Sequence, residues 1–201
     1  MSSAKNVRFG KNGNSSVEIG RYTYGYENIA VRQWGEGASL KIGAFCSIAD
    51  GVLCFLGGNH RVDWITTFPF GHMFQDELGG TNIVGHPQTN GDVIIGNDVW
   101  IGSNVTIMSG ITISDGAVVA ANSSVVKDIG AYEIWGGNPA KKLKKRFSEE
   151  IIQSLQELKW WEWRVEVIKH LAPSLSTAPN TKIINKLAKK AAQLSAELPH
   201  I

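Results

Sequence analysis

Apolar residues recur every six positions through the middle of the chain. Counted from Ile95, one row runs Ile95, Ile101, Ile107, Ile113, Val119, Val125 and Ala131 without an insertion. A second row, two residues earlier, reads Val93, Val99, Val105, Ile111 and Ala117. A helix with about 3.6 residues per turn cannot keep a six-residue period on one stripe, and a single flat strand alternates every second residue. A solenoid of short strands does keep it, because each strand adds one small aliphatic side chain to a stacked interior column. Asn97, Asp98, Asn104, Asp115 and Gly116 fall between the rows, where the chain must turn through tight or left-handed backbone. Both rows are therefore expected to point inward, and the predicted fold class is an all-β solenoid.

The same register appears earlier at Ile42, Ile48 and Cys54, and the phrase Val17-Glu18-Ile19-Gly20 predicts a first, irregular coil. Between these blocks, residues 55–92 lose the period and become rich in aromatics, glycine and histidine. An insertion of that length in a compact fold is usually functional. After Gly137 the pattern changes to helical. Ser148 is placed to cap a helix starting at Glu149-Glu150, with Ile151, Ile152, Leu155 and Leu158 as its apolar stripe. Trp160, Trp161 and Trp163 are read as packing aromatics, and a last helix over about residues 182–197 sets Ile183, Ile184, Leu187, Ala191 and Leu194 against several lysines. The expected organisation is a β-helical domain over 1–140, carrying the inserted loop 55–92, followed by a helical segment over 141–201.

Composition narrows the classes. A chain of 201 residues, 43% hydrophobic, supports one core-bearing domain with an appendage. A formal charge of +2 gives no general field for nucleic acid. No run of about 18 apolar residues is present, and Met1 to Asn14 lacks a charged-then-apolar signal, so no membrane contact and a cytoplasmic location are expected. Cys46 and Cys54, the only cysteines, are too few for a disulfide scaffold and read as small core residues. The regular coils from Asp92 to Gly137 contain no histidine, so no metal is expected there.

The inserted loop reads Gly57-Gly58-Asn59-His60-Arg61-Val62-Asp63-Trp64-Ile65-Thr66-Thr67-Phe68-Pro69-Phe70. Together with Asn97-Asp98-Val99-Trp100-Ile101-Gly102 and Gly136-Gly137-Asn138-Pro139-Ala140-Lys141, it resembles the xenobiotic acetyltransferases, the group of hexapeptide-type chloramphenicol and streptogramin acetyltransferases. The likeness spans roughly Val17 to Leu171. It implies a left-handed parallel β-helix, a homotrimer with active sites between adjacent subunits, acetyl-coenzyme A as co-substrate, and a catalytic histidine on the projecting loop at His60. The chemistry agrees: a hydroxyl is a poor nucleophile near neutral pH, and an imidazole is the side chain suited to take its proton.

By resemblance to hexapeptide acetyltransferases generally, the coenzyme-binding positions are Trp100, Ser103, Ala121, Lys127, Asn138, Pro139, Lys141 and Lys144. Arginine is common at the last two, and lysine supplies charge without the bidentate fork. Asp63 is placed either to orient His60 or to neutralise Arg61, and Trp64, Phe68 and Phe70 either face a substrate or pin the loop. His72 and His86 share the loop outside the motif, and His170 and His200 are read as structural residues of the tail. The expected reaction is direct transfer of acetyl to a hydroxyl of a small acceptor, an antibiotic such as chloramphenicol or a streptogramin, or a saccharide. The alternative is a nucleotide-sugar N-acetyltransferase.

Overall fold

A computed structural model describes residues 8–197 of the chain. It divides into two compact units between Lys144 and Lys145. The first unit opens with β1 (Arg8–Asn12), which pairs antiparallel with β2 (Ser15–Ile19). It continues through β3 (Ile29–Arg32), β4 (Leu40–Ile42), β5 (Ser47–Ile48) and β6 (Val52–Phe55), then a long loop holding only a short helix, α1 (Gln75–Leu78). The strands resume as β7 (Val93–Ile95), β8 (Trp100–Ile101), β9 (Thr106–Ile107), β10 (Thr112–Ile113), β11 (Val118–Val119) and β12 (Ser124–Val125), and end with β13 (Glu133–Gly136) and β14 (Lys141–Lys145).

These strands build three sheets that the chain visits in rotation. The first holds β1-β2-β4-β7-β10, the second β14-β13-β11-β8-β5 and the third β12-β9-β6-β3. Between consecutive coils the pairing is parallel, and in the regular stretch from β7 to β12 the partners are eighteen residues apart: Ile95 beside Ile113, Ile101 beside Val119, Ile107 beside Val125. One coil is thus three six-residue rungs, one per sheet. Ile42 still pairs with Ile95, so the inserted loop leaves and returns without breaking the ladder.

Burial follows the two rows. Ile95, Ile101, Ile107, Ile113, Val119 and Val125 are all buried, as are Val93, Val99, Val105, Ile111 and Ala117. Each of these Ile and Val side chains contributes about 1.5–3 kcal/mol when removed from water. Corner residues satisfy the backbone between coils: the Asn97 carboxamide accepts from Ala44 N–H at 2.8 Å, and Asp115 accepts from Asn97 N–H at 2.6 Å. Asp98 and Asn104 take positive φ there, of 55° and 58°. Gly96 is required for a different reason, since a Cβ on it would lie 2.7 Å from the Asp115 backbone nitrogen of the next coil.

The column departs from the expected register at its end. Ala131 is only half-buried, and Ile129 takes its place, paired with Ile113 sixteen residues away. Val119 likewise pairs with Trp135, so the last coil is two residues shorter than the regular coils before it.

The second unit contains α2 (Glu149–Leu158), a 3-10 turn at Trp160–Glu162, α3 (Val165–Leu175) and α4 (Thr181–Glu197). Val167 and Leu171 of α3 meet Leu187 and Ala191 of α4, with Trp163 packed against them. Trp161 is buried and meets Trp160 edge to face. Ser148 occupies the N-cap position of α2, but its hydroxyl makes no capping bond. Of the expected α2 stripe only Ile152 is fully buried. His170 is exposed on α3, its Nδ1 2.8 Å from the Glu166 carbonyl, and His200 lies outside the described residues.

Candidate active site

The loop between β6 and β7 is tied down at its root. Thr89 donates its hydroxyl to the Leu56 carbonyl at 2.6 Å, and Asn59 and Gln88 exchange two backbone bonds of 2.9 Å. Ser109, buried on the neighbouring coil, accepts from the Asn59 side chain at 2.9 Å and from Asn90 N–H at 3.2 Å. Glu36 adds a second anchor. Its carboxylate accepts from Gly58 N–H at 2.6 Å and from Trp34 N–H at 2.9 Å. Gly57 and Gly58 allow this close seat: a Cβ on Gly57 would lie 2.4 Å from the Glu36 carboxylate, and one on Gly58 would lie 2.4 Å from the Trp34 ring. Trp34 is in turn stacked on Phe55, centroids 6.1 Å apart.

His60 follows directly from this anchored stretch. Its Nδ1 lies 2.8 Å from the Thr67 carbonyl oxygen. A carbonyl can only accept, which assigns the neutral ring's proton to Nδ1 and leaves a lone pair on Nε2. The ring is exposed and lines a cleft of about 250 Å³ with Trp34, Gly58, Pro69, His72, Met73 and Pro87. Arg61 and Asp63 pair with each other through both carboxylate oxygens, Nε to Oδ1 at 2.7 Å. The choice left open for Asp63 thus falls to Arg61, whose hydrogen bonding lowers the Asp63 carboxyl to about 2. The Thr67 backbone, not a carboxylate, orients His60.

Asp63, Trp64, Phe68 and Phe70 come together with Ile65, Thr66 and Ile83 around a second cleft of about 500 Å³. Phe68 and Phe70 meet edge to face at 4.8 Å, and the Arg61 guanidinium lies 4.8 Å over the Trp64 ring. His60 is not among the residues lining this cleft. His86 is buried beside His60, Thr67 orients His60 from within the motif through its backbone carbonyl, and Glu36 and Trp34 reach the loop from positions that no motif marks. The two cysteines cannot act as nucleophiles: burial raises Cys46 to about 11 and Cys54 to about 12.

The coenzyme candidates fall at two corners of the coil. Ser103 and Ala121 lie between the second and third sheets, where Asn122 N–H bonds to the Ser103 carbonyl at 2.9 Å. Asn138 and Pro139 continue this corner, flanked by the Gly137 carbonyl, which accepts from Ser124 N–H, and by Ala140 N–H, which donates to Ser124. Trp100 stands exposed on the second sheet. Lys127 lies past β12, between the third and first sheets, at the corner from which the His60 loop departs. Lys141 to Lys145 form a strand rather than a helix start, so Lys141 and Lys144 project from opposite faces of β14. Lys142 bonds Glu133 at 2.5 Å and Lys145 pairs with Glu149, whereas Lys141 and Lys144 make no ion pair among the described residues. Burial would raise Glu133, but bonds from Lys142, Trp135 and Gly130 outweigh it and hold this carboxyl low.

Replacing Glu36 with alanine removes two charge-assisted bonds, each worth about 1.5–3 kcal/mol. The root of the loop should then open locally, and amide exchange at Gly58 and Asn59 should quicken by about tenfold or more while Ile101 and Ile107 stay protected. Unchanged exchange at Gly58 would remove Glu36 from this role.

Residues 92–127 match the family described as bacterial transferase hexapeptide, six repeats. The chain is 42% identical over 178 residues to a chloramphenicol acetyltransferase of Klebsiella aerogenes, covering 82% of this chain and 84% of that one. It is 46% identical over 167 residues to a probable macrolide acetyltransferase of Lysinibacillus sphaericus, covering 82% and 93%. Against a virginiamycin A acetyltransferase of Staphylococcus aureus it is 39% identical, covering 80% and 77%. Among solved structures, that of the polySia-specific acetyltransferase NeuO aligns with a TM-score of 0.50 and 28% identity, over 66% of this chain and 53% of that one. No helix of the described residues is long and apolar enough to cross a membrane.

Proposed function

This chain belongs to the hexapeptide-repeat xenobiotic acetyltransferases, and from that membership we propose that it transfers acetyl from acetyl-coenzyme A directly to a hydroxyl of a small acceptor, with His60 as general base. The observation that carries the reading is the 2.8 Å contact of His60 Nδ1 with the Thr67 carbonyl. With that nitrogen holding the ring's proton, Nε2 takes the proton of the acceptor hydroxyl as its oxygen attacks the thioester carbonyl. The C–O bond forms, the C–S bond breaks, and the proton on Nε2 passes to the leaving thiolate. No acyl-enzyme is formed. The apolar cleft lined by Asp63, Trp64, Phe68 and Phe70 is the proposed seat of the acceptor's apolar body, with its reacting hydroxyl extending to the cleft that His60 lines.

Coenzyme A is proposed to run along the corner of Ser103, Ala121, Asn138 and Pro139, beside Trp100, with Lys127, Lys141 and Lys144 offering charge to its phosphates. Among the described residues Lys141 and Lys144 have no competing carboxylate, which supports that use. The coil is proposed to wind left-handed and the assembly to be a trimer with shared sites. Two features support sharing: the His60 loop and the Ser103–Ala121 positions lie at different corners of the strand stack, and Val62, Ile65 and Val84 hold apolar side chains largely in solvent on the loop.

A thiol-release assay with acetyl-coenzyme A against chloramphenicol, streptogramins, macrolides, simple sugars and a nucleotide-sugar amine tests the reading. Release only with the amine would favour N-acetylation instead. Lys141→Ala and Lys144→Ala should each raise KM for acetyl-coenzyme A by about three- to tenfold at low salt, and by less once the Debye length shrinks to about 8 Å. An unchanged KM at low salt removes that lysine from the site.

A further inference from the structure

A second histidine stands against the first. His86 is 6% exposed, and its ring meets that of His60 edge to face, with centroids 4.5 Å apart and planes at 86°. The Trp64 ring closes in at 6.0 Å. Neither nitrogen of His86 has a hydrogen-bond partner among the described residues, so what this ring gives its neighbour is shape and an aromatic contact.

We propose that His86 is a positioning residue for the transfer reaction, an uncharged aromatic wall that fixes the plane of the His60 imidazole and faces the imidazolium formed when His60 takes the acceptor's proton. This inference rests on the reading of His60 as the base. The Thr67 carbonyl fixes one point of the His60 ring, and a ring held at one point can still rock about that bond. An edge-to-face neighbour at 4.5 Å removes that freedom. Burial, with the Arg61 guanidinium nearby, moves His86 below the ordinary histidine range and so favours its neutral form. An uncharged ring does not repel the charge that develops on His60.

The test is a set of variants read by steady-state kinetics on a confirmed acceptor. His86→Ala should lower kcat by about tenfold, the scale expected when a reacting group loses alignment, with both KM values within about twofold of the parent. His86→Phe keeps the aromatic wall and should stay within about threefold of parental kcat. In a His60→Ala background, His86→Ala should cost nothing further, because its effect passes through His60. If His86→Ala does not fold, His86→Leu, which fills the volume without a ring, takes its place. Parental kcat in the ring-less variant, an equal loss in His86→Phe, or a full additional loss in the His60→Ala background would each overturn the proposal. Failure of the His60 reading shows separately, as near-parental turnover of His60→Ala alone.

Discussion

His60→Ala is expected to lower kcat by about 10² to 10⁴, roughly 3–5 kcal/mol of barrier, because it removes a positioned general base. Affinity for acetyl-coenzyme A should change far less, since the proposed coenzyme corner is built from Ser103, Ala121 and Asn138. Folding should be unaffected: His60 is exposed on the loop and adds nothing to the column from Ile95 to Val125. Circular dichroism and sedimentation establish that the variant is intact, and stopped-time product analysis gives kcat. Retention of more than about a tenth of parental kcat, below the smallest loss expected for a general base, would remove His60 from that role.

The loop proposed to carry this chemistry was legible in part from the sequence, and the limit is physical. A six-residue period is visible because every rung must put a small aliphatic side chain into a shared column, so one constraint repeats in the sequence as it does in space. Counting in sixes goes wrong at Ala131 because a coil shortened by two residues keeps the interior filled with Ile129 while shifting the register. Single contacts across the fold leave no such trace. Glu36 reaches Gly58 from another coil, and His86 reaches His60 from the far end of the same loop; neither pairing has a spacing that distinguishes it. Asp63 stayed ambiguous because a carboxylate three residues from one partner and two from another can serve either, and only geometry assigns it to Arg61. The Lys141 and Lys144 positions came from a motif, whereas their disposition on opposite faces follows from β14 being a strand.

Mixing two inactive variants should restore activity, and this is the strongest test of a site shared between copies. His60→Ala lacks the base but keeps the coenzyme corner. Ala121→Trp keeps His60 and places a bulky ring where the pantetheine arm is proposed to pass; the Ala121 side chain is exposed, so the coil should accommodate it. Each variant alone should be at least about a hundredfold down, the first in kcat and the second through failure to bind coenzyme. In a randomly assembled one-to-one trimer, a shared site is intact only when one subunit supplies His60 and its neighbour supplies the corner, which gives about a quarter of parental activity. A site built within one chain would give no such gain, because every chain in the mixture carries one of the two lesions. The measurement is specific activity after co-refolding or co-expression, compared with the two variants assayed apart and then combined without subunit exchange. Activity near a quarter supports sharing, and activity no higher than the unexchanged mixture returns the site to a single chain. Near-parental activity of Ala121→Trp by itself would instead remove the coenzyme from that corner.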